Sequence, residues 1–437
     1  MAAPRKSNKR RSRTPAAPRV GLFGLLGQGN LGNDGSMEAV LAYLRSEHPQ
    51  VLLDCLCTDP EVVRARYDMP AAQLRWYGAP RQSSSALADV TRRGFGIGLG
   101  IAIDAVRIAA WVRRHDAVAV PGMGVLETTV PMRPWKTPYW MFLLCASGRI
   151  FGTRIALVSV GANVTDRRAT RFLITRAVRL AHYRSYRDEI SRTALQHMGV
   201  DTSRDIIYPD VAYALPTPAA PPGTQDAVGI GVMDYSGGND ELDQADQLRA
   251  NYLEQVKLFC KWLLDNGRPI RLFTSDTADE PVVQAIAADV RAYRPDLDAS
   301  WVTAEPARSL SEVLEQISLV STVVATRYHN VLYALLLAKP TLALGYAVKH
   351  EQLMTKTGLP EFCLPCRSLE VSQIIDLFAE LERRSPELTK AIAQHNAAKQ
   401  ELVARQLAEM SAVLLRTSGG AGAASDACRR PASSAAR

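Results

Sequence analysis

Arg327 and His329 stand two residues apart in a segment that is otherwise apolar, residues 323–346, VVATRYHNVLYALLLAKPTLALGY. With Thr326, Tyr328 and Asn330 they form a polar cluster that could hold an anion. Arginine offers a planar fork of donors that matches carboxylate or phosphate. The bland alternative is that Arg327 pairs with a core carboxylate and His329 caps a helix. The local pattern leaves both open.

The flanking elements decide where such a cluster would sit. Residues 319–325 are apolar and β-branched, as in a buried strand. Residues 330–338 are rich in Leu and Ala and read as a buried helix, stopped by Lys339-Pro340. Residues 341–346 read as a second buried strand. This is a βαβ unit with the cluster at the strand's carboxyl end, where open parallel sheets bind ligands. A helix N-terminus there adds free amides and a positive dipole end.

The first half of the chain repeats the pattern. Residues 20–27 read as a strand and run into GQGNLGNDGSMEAVLAYLRSEHP. Gly27, Gly29, Gly32 and Gly35 crowd that turn, and Ser36 or Asp34 can cap the helix behind it. Such a turn lets backbone amides approach an anion. It is neither a Walker loop nor a clean GxGxxG. A second strand is expected at 51–57. Strands at 117–120, 155–160, 183–185 and 205–208 run into Pro121-Gly122-Met123-Gly124, Gly161-Ala162-Asn163, Tyr186-Arg187-Asp188 and Pro209-Asp210. Strand ends that finish in glycine or polar residues are expected where one sheet edge lines a cleft. Residues 81–94 read as a loop.

With 437 residues and 47% hydrophobic content, the chain suits two domains with sizeable cores. Residues 216–222, PTPAAPP, are the best linker, after which βα alternation restarts. The charge of +8 is misleading. Residues 1–19 carry +7 and residues 417–437 carry +2, which leaves −1 on the body. Nucleic-acid binding is therefore not expected. The basic N-terminal run leads to Pro, Ala and Arg, so it does not read as a secretory signal. Residues 95–112 are apolar but contain Asp104 and Arg107, which points to a buried or interfacial helix. Seven scattered cysteines, with one CxC and one CxxC, read as thiols of a reducing compartment. No cluster has metal-ligand spacing.

Four pieces together resemble the polysaccharide pyruvyl transferase family, over roughly residues 20–385. They are Gly29-Asn30-Leu31-Gly32-Asn33-Asp34, the glycines of PGMGVLE, Arg184-Ser185-Tyr186-Arg187-Asp188 with Ser191, and the ATRYHN segment followed by Lys349. Asp34 sits one residue later than the usual glycine–aspartate form, and Pro121 replaces a common glycine.

The resemblance implies an α/β protein with two Rossmann-like domains of parallel strands facing a cleft, GT-B-like, with a long C-terminal helix. Residues 1–19 and 417–437 would be disordered tails. An acceptor-side domain would span 20–215, a linker 216–226, a donor-side domain 227–385 and a closing helix 386–416. The implied activity moves the enolpyruvyl carbons of phosphoenolpyruvate onto two hydroxyls of a glycan or glycolipid, giving a pyruvate ketal and phosphate. Arg187 and Arg327 would clamp the donor. Asn330 and the helix N-terminus would hold phosphate, and Lys349 could reach it. His329 would be the general acid or a phosphate-side donor, since its ordinary pKa suits work near neutrality. The loop carrying Gly29, Asn30, Gly32 and Asp34, with Gly122 and Gly124, would face the acceptor. Neither metal nor cofactor is implied. The location implied is cytoplasmic, with peripheral membrane contact left open. Replacing Arg327 by Ala should abolish donor binding with little loss of stability.

Plain structural roles compete for several of these residues. Arg187 could make a surface salt bridge, Asp34 could be only an N-cap, Asp210 a turn residue, Tyr328 a packing residue and Lys349 a solvated lysine. Two rival functions share the fold: a glycosyltransferase using a nucleotide sugar, and a non-catalytic envelope-assembly protein.

Overall fold

A computed structural model describes residues 17–75, 86–127, 134–218, 226–237 and 242–415, with the backbone alone for 86–97. The expected tails lie outside these residues except for 17–19, as does most of the linker.

The first half alternates strand and helix: β1 (Arg19–Gly24), α1 (Leu31–Glu47), β2 (Leu52–Cys57), α2 (Pro60–Tyr67), β3 (Ala71–Gln73), α3 (Ala86–Val112), β4 (Ala117–Pro121), α4 (Thr137–Phe151), β5 (Arg154–Val160), α5 (Arg168–Leu180), β6 (Tyr183–Tyr186), α6 (Glu189–His197) and β7 (Ile206–Ile207). The strands form one parallel sheet in the order β3-β2-β1-β4-β5-β6-β7. β4 is buried along its whole length, as expected for a strand covered by helices on both faces. The chain leaves β1 in one direction through β2 and returns on the other side through β4. The switch point therefore lies between the glycine-rich turn after β1 and the Pro-Gly-Met-Gly turn after β4.

The second half repeats this plan with β8 (Val228–Gly231), α7 (Ala245–Asp265), β9 (Ile270–Phe273), α8 (Glu280–Tyr293), β10 (Val302–Thr303), α9 (Leu310–Ser318), β11 (Thr322–Ala325), α10 (Tyr328–Leu336), β12 (Thr341–Gly345), α11 (Val348–Lys356), β13 (Cys363–Pro365) and α12 (Val371–Arg383). Its parallel sheet runs β10-β9-β8-β11-β12-β13. The switch point falls between β8 and β11, and α10 starts beside it. Val331, Leu332 and Leu335 of α10 are fully buried. Each such side chain stabilises by about 1.5–3 kcal/mol, so packing fixes the helix that presents the polar cluster.

The last helix, α13 (Ser385–Leu414), crosses from the second half to the first. Asn396 Nδ2 donates to the carbonyls of Leu335 and Leu336, at 2.7 and 3.0 Å. The Leu335 carbonyl also accepts the Ala338 amide at 2.8 Å, so Asn396 adds a second donor there at the end of α10. Ten residues on, Gln406 Nε2 donates to Ser159 Oγ on β5 and Ser185 Oγ on β6, at 2.7 and 2.8 Å.

Two expectations about elements need correction. Residues 86–94 are helical, as the start of α3, because the polar run expected as a loop extends an apolar helix N-terminally. The strand expected at 319–325 is only Thr322–Ala325, because α9 continues to Ser318 and Leu319 caps it. No described helix is long and apolar enough to cross a membrane. Cys363 and Cys366 are free, like the other four cysteines among the described residues.

Candidate functional site

Residues just beyond the carboxyl ends of β1, β4, β6, β9, β11 and β12 line one cavity of about 210 Å³ between the two sheets. A water needs about 10–15 Å³ on the same measure, so the cavity takes a small ligand. It brings together Arg187, Arg327, His329 and Lys349 with Asn30 and Gly124.

Arg327 caps α10 with an extended backbone and no side-chain cap. The first helical bond is from the Val331 amide to the Arg327 carbonyl, at 3.0 Å. The amides of the first turn therefore have no helical acceptor and offer an anion-binding end. The guanidinium itself is held by carboxylates. Nε and Nη2 donate to Asp279 at 2.5 and 2.9 Å, and Nη1 lies 3.3 Å from Asp276. Asp279 is anchored in turn by the Asp234 amide at 3.0 Å and Thr274 Oγ1 at 3.1 Å. The carboxylate pairing, one of two readings of Arg327, is thus realised. An arginine has five N–H donors, so this pairing aims the fork and leaves donors over for a ligand.

Arg187 follows β6 and its side chain is 6% exposed, so it forms no surface salt bridge. It donates to Glu127 and lies 3.6 Å from Asp188. Asp188 caps α6 by accepting the Ser191 amide at 2.7 Å. The Tyr328 ring lies between two cations, with Arg187 at 5.6 Å and Lys349 Nζ at 5.3 Å from its centre. Burial lowers the Lys349 pKa.

His329 is half-buried, and its Nε2 is out of solvent with no hydrogen-bond partner. Burial, followed by the charges of Arg187, Lys349 and Arg327, holds its pKa down at about 3. The imidazole is therefore neutral at pH 7. The expected ordinary titration near neutrality is corrected: three cations converge on the ring, which the sequence could not reveal.

The glycine-rich turn serves a different purpose from the one expected. The Gly27 amide donates to Asp34 Oδ1 at 3.2 Å, so the chain's own carboxylate takes the anion position. Asp34 does not cap α1. Asn30 does, accepting the Asn33 amide, while Asp34 lies inside the helix and is 1% exposed. Its Oδ2 accepts from Arg66 at 2.6 Å, and burial raises its pKa. The glycines permit close docking of the two halves. A Cβ on Gly29 would stand 1.8 Å from Thr277 Oγ1, and one on Gly32 would stand 2.1 Å from His329 Nδ1. The Leu31 amide donates to the Ser275 carbonyl at 2.9 Å, and the Thr277 amide to the Gly29 carbonyl at 3.0 Å.

Of the expected acceptor-side residues, Asn30 and Gly124 line the cavity, whereas Gly29, Gly32, Gly122 and Asp34 do not. Asn330 does not line it either. It sits in the first turn of α10 with its side chain fully buried, and both of its polar atoms lack partners. Sequence reading missed Glu127, Asp276 and Tyr346 in the wall and Asp279 behind it. Asp276 carried a signal, since it follows the β9 strand end as part of Thr274-Ser275-Asp276. Glu127 and Asp279 stand beyond a turn, where spacing says nothing. Among the described residues, no three His, Cys, Asp or Glu side chains could hold a metal ion.

The family model described as "Polysaccharide pyruvyl transferase" matches residues 30–347. No curated protein matches the sequence. Solved structures match in fold alone. A putative UDP-N-acetylglucosamine 2-epimerase from Listeria monocytogenes superposes with a TM-score of 0.56 at 14% identity, over 91% of this chain and 97% of that one. A UDP-GlcNAc 2-epimerase from Neisseria meningitidis bound to UDP-GlcNAc gives 0.56 at 12%, over 90% and 100%. A glycosyltransferase from Rickettsia africae gives 0.54 at 11%, over 92% and 99%. The two-lobed GT-B-like architecture is common to all.

Proposed function

Since the chain belongs to the polysaccharide pyruvyl transferase family, we propose that it transfers the enolpyruvyl carbons of phosphoenolpyruvate to two hydroxyls of a glycan or glycolipid. The product is a cyclic pyruvate ketal and the leaving group is phosphate. One observation carries the reading: Arg187 and Arg327 reach a single small cavity from opposite lobes, at the uncapped start of α10. A small compound with a carboxylate and a phosphate needs such a fork and such free amides.

The residues divide the work as follows. Arg327, aimed by Asp279 and Asp276, and Arg187, aimed by Glu127, take the donor's anionic groups. Lys349 and the first-turn amides of α10 hold phosphate and stabilise it as it leaves. The methylene carbon takes a proton, the adjacent carbon takes the first hydroxyl, and the second hydroxyl displaces phosphate. We assign delivery of that proton to His329, once it has gained one. The chemistry calls for no resident cofactor.

Two carboxylates, Glu127 and Asp276, share the cavity with Arg187, Arg327 and Lys349. Net positive charge is therefore small, and a trianion needs either one more cation or one fewer carboxylate. A proton gained on His329 or Asp276 supplies it.

Calorimetry with phosphoenolpyruvate tests the reading, using Arg327→Lys beside the wild type. The fork is lost and the charge is kept, so donor affinity should fall by at least about tenfold. Undiminished binding overturns the clamp. Nucleotide-sugar transfer is tested in the same cell. UDP-GlcNAc that binds and blocks the donor would replace this reading, although fold likeness at 10–14% identity by itself favours no substrate.

A further inference from the structure

A second cavity of about 260 Å³ adjoins the first, and Arg187, Tyr328 and Lys349 line both. Most of its remaining walls come from the segment after β7, from α11 and from α13, with Asp188 and with Leu332 of α10. Nothing in the proposed donor chemistry uses it.

Two residues in its lining, Asp210 and Gln352, each carry a buried acceptor without a donor. Asp210 is 4% exposed, and its Oδ2 has no hydrogen-bond partner. Its Oδ1 accepts the Ala212 amide at 3.0 Å, which fixes the side chain on the turn and leaves the other oxygen free. Gln352 Oε1, from α11, is also buried and unpartnered. Unpaired buried acceptors are costly, and two lining one cavity call for a ligand that brings several donors. Ring hydroxyls do this.

Charge narrows the class. Lys356 of α11 and Lys399 of α13 line the same cavity, and neither forms an ion pair among the described residues. Burial and then the charge of Lys356 lower the Lys399 pKa. Two lysines that line one cavity without a carboxylate partner favour an anion there.

We propose that this second cavity binds an acidic saccharide, with Asp210 and Gln352 accepting from its hydroxyls and Lys356 and Lys399 meeting its carboxylate or phosphate. The binding statement stands alone, and its catalytic extension rests on the donor reading above. In that extension the hydroxyl on Asp210 attacks the enolpyruvyl carbon. Its O–H bond breaks, the proton passes to Asp210 Oδ2, and the new C–O bond forms as the methylene carbon takes a proton from the acid. The second hydroxyl then displaces phosphate, which leaves with the bonding pair and that hydroxyl's proton. Solvent returns the proton on Asp210 to the acid.

The test is direct binding without phosphoenolpyruvate, followed by calorimetry or ligand-observed NMR. Three probes are used: a glucuronate-containing disaccharide, glucose 1-phosphate and maltose. At least one acidic probe should bind in the millimolar range or tighter, about tenfold better than maltose. The acidic probe that wins tells carboxylate from phosphate. The double variant Lys356→Ala/Lys399→Ala should abolish the preference, and Asp210→Asn, which keeps the cap to Ala212, should weaken every probe that binds. Absence of binding by all three at about 10 mM, a neutral probe that equals the acidic ones, or an Asp210→Asn protein with wild-type affinity overturns the proposal. Phosphoenolpyruvate is titrated separately on each variant. Loss of donor binding in the wild type refutes the donor reading without touching the saccharide result.

Discussion

Donor binding should draw a proton onto His329. In the cavity as built, the ring's pKa is about 3, so about one molecule in ten thousand is charged at pH 7. Charging it there requires a rise of about four tenfolds in proton affinity, or ~5–6 kcal/mol. A unit negative charge about 5 Å away contributes ~3 kcal/mol at an effective dielectric of about 20. Two of the donor's three charges at that distance would suffice, and they also offset the cations that depress the pKa. Calorimetry in buffers of different ionisation enthalpy reads the outcome above about pH 7.5, where the donor phosphate is fully ionised. Two such charges put the bound-state pKa at about 8, so more than half a proton should be taken up per donor bound at about pH 7.5, less as pH rises further. Once the bound-state pKa is passed, affinity should fall about tenfold per pH unit. His329→Gln should remove the uptake. No uptake in the wild type would mean that His329 acts as a neutral hydrogen-bond donor. Uptake that survives in His329→Gln but disappears in Asp276→Asn would move the proton to Asp276, whose pKa burial already raises.

Three further outcomes are expected. Arg327→Ala should lower the melting temperature, contrary to the expectation from sequence, because it leaves buried Asp279 unpaired at a cost of about 3–5 kcal/mol; adding Asp279→Asn should restore much of the loss in urea unfolding. Gly32→Ala should cost ~1–3 kcal/mol in the same assay and disturb donor binding, since its Cβ would overlap the His329 ring. His350, buried with its pKa held at about 4 by burial and by Lys349, is neutral in the fold and charges more readily when unfolded. Its contribution is present above about pH 6.5 and lost as pH falls towards 4, worth ~3 kcal/mol; His350→Gln should flatten that part of the urea midpoint against pH.

The sequence carried the architecture because parallel strands buried on both faces leave unbroken apolar runs, and because polar residues interrupt them only at strand ends. That is why Arg187, Arg327, His329 and Lys349 could be picked out before any coordinates. What stayed hidden were partners set by three-dimensional proximity alone. Asp279 lies 48 residues before Arg327, and Glu127 lies 60 before Arg187, with no spacing to announce either pairing. The glycine turn was misread for a similar reason. A turn that admits an anion and a turn that admits another domain's backbone have the same composition, and only the contact with Thr277 and His329 tells them apart.

That contact and the path of α13 together give the lobes two different seams. On the glycine side the seam includes backbone hydrogen bonds at Leu31 and Thr277 and a bond from Arg66 to the Arg308 carbonyl at 2.5 Å. On the other side a single helix is bonded into both lobes through Asn396 and Gln406. A book bound at its spine and fastened with a clasp opens at the clasp. The clasp here is also the wall against which His329 rests, so any opening that admits donor would release the histidine from Gly32. Opening there would change the histidine's environment at the same time, and amide exchange at Leu31 and Thr277 should report it.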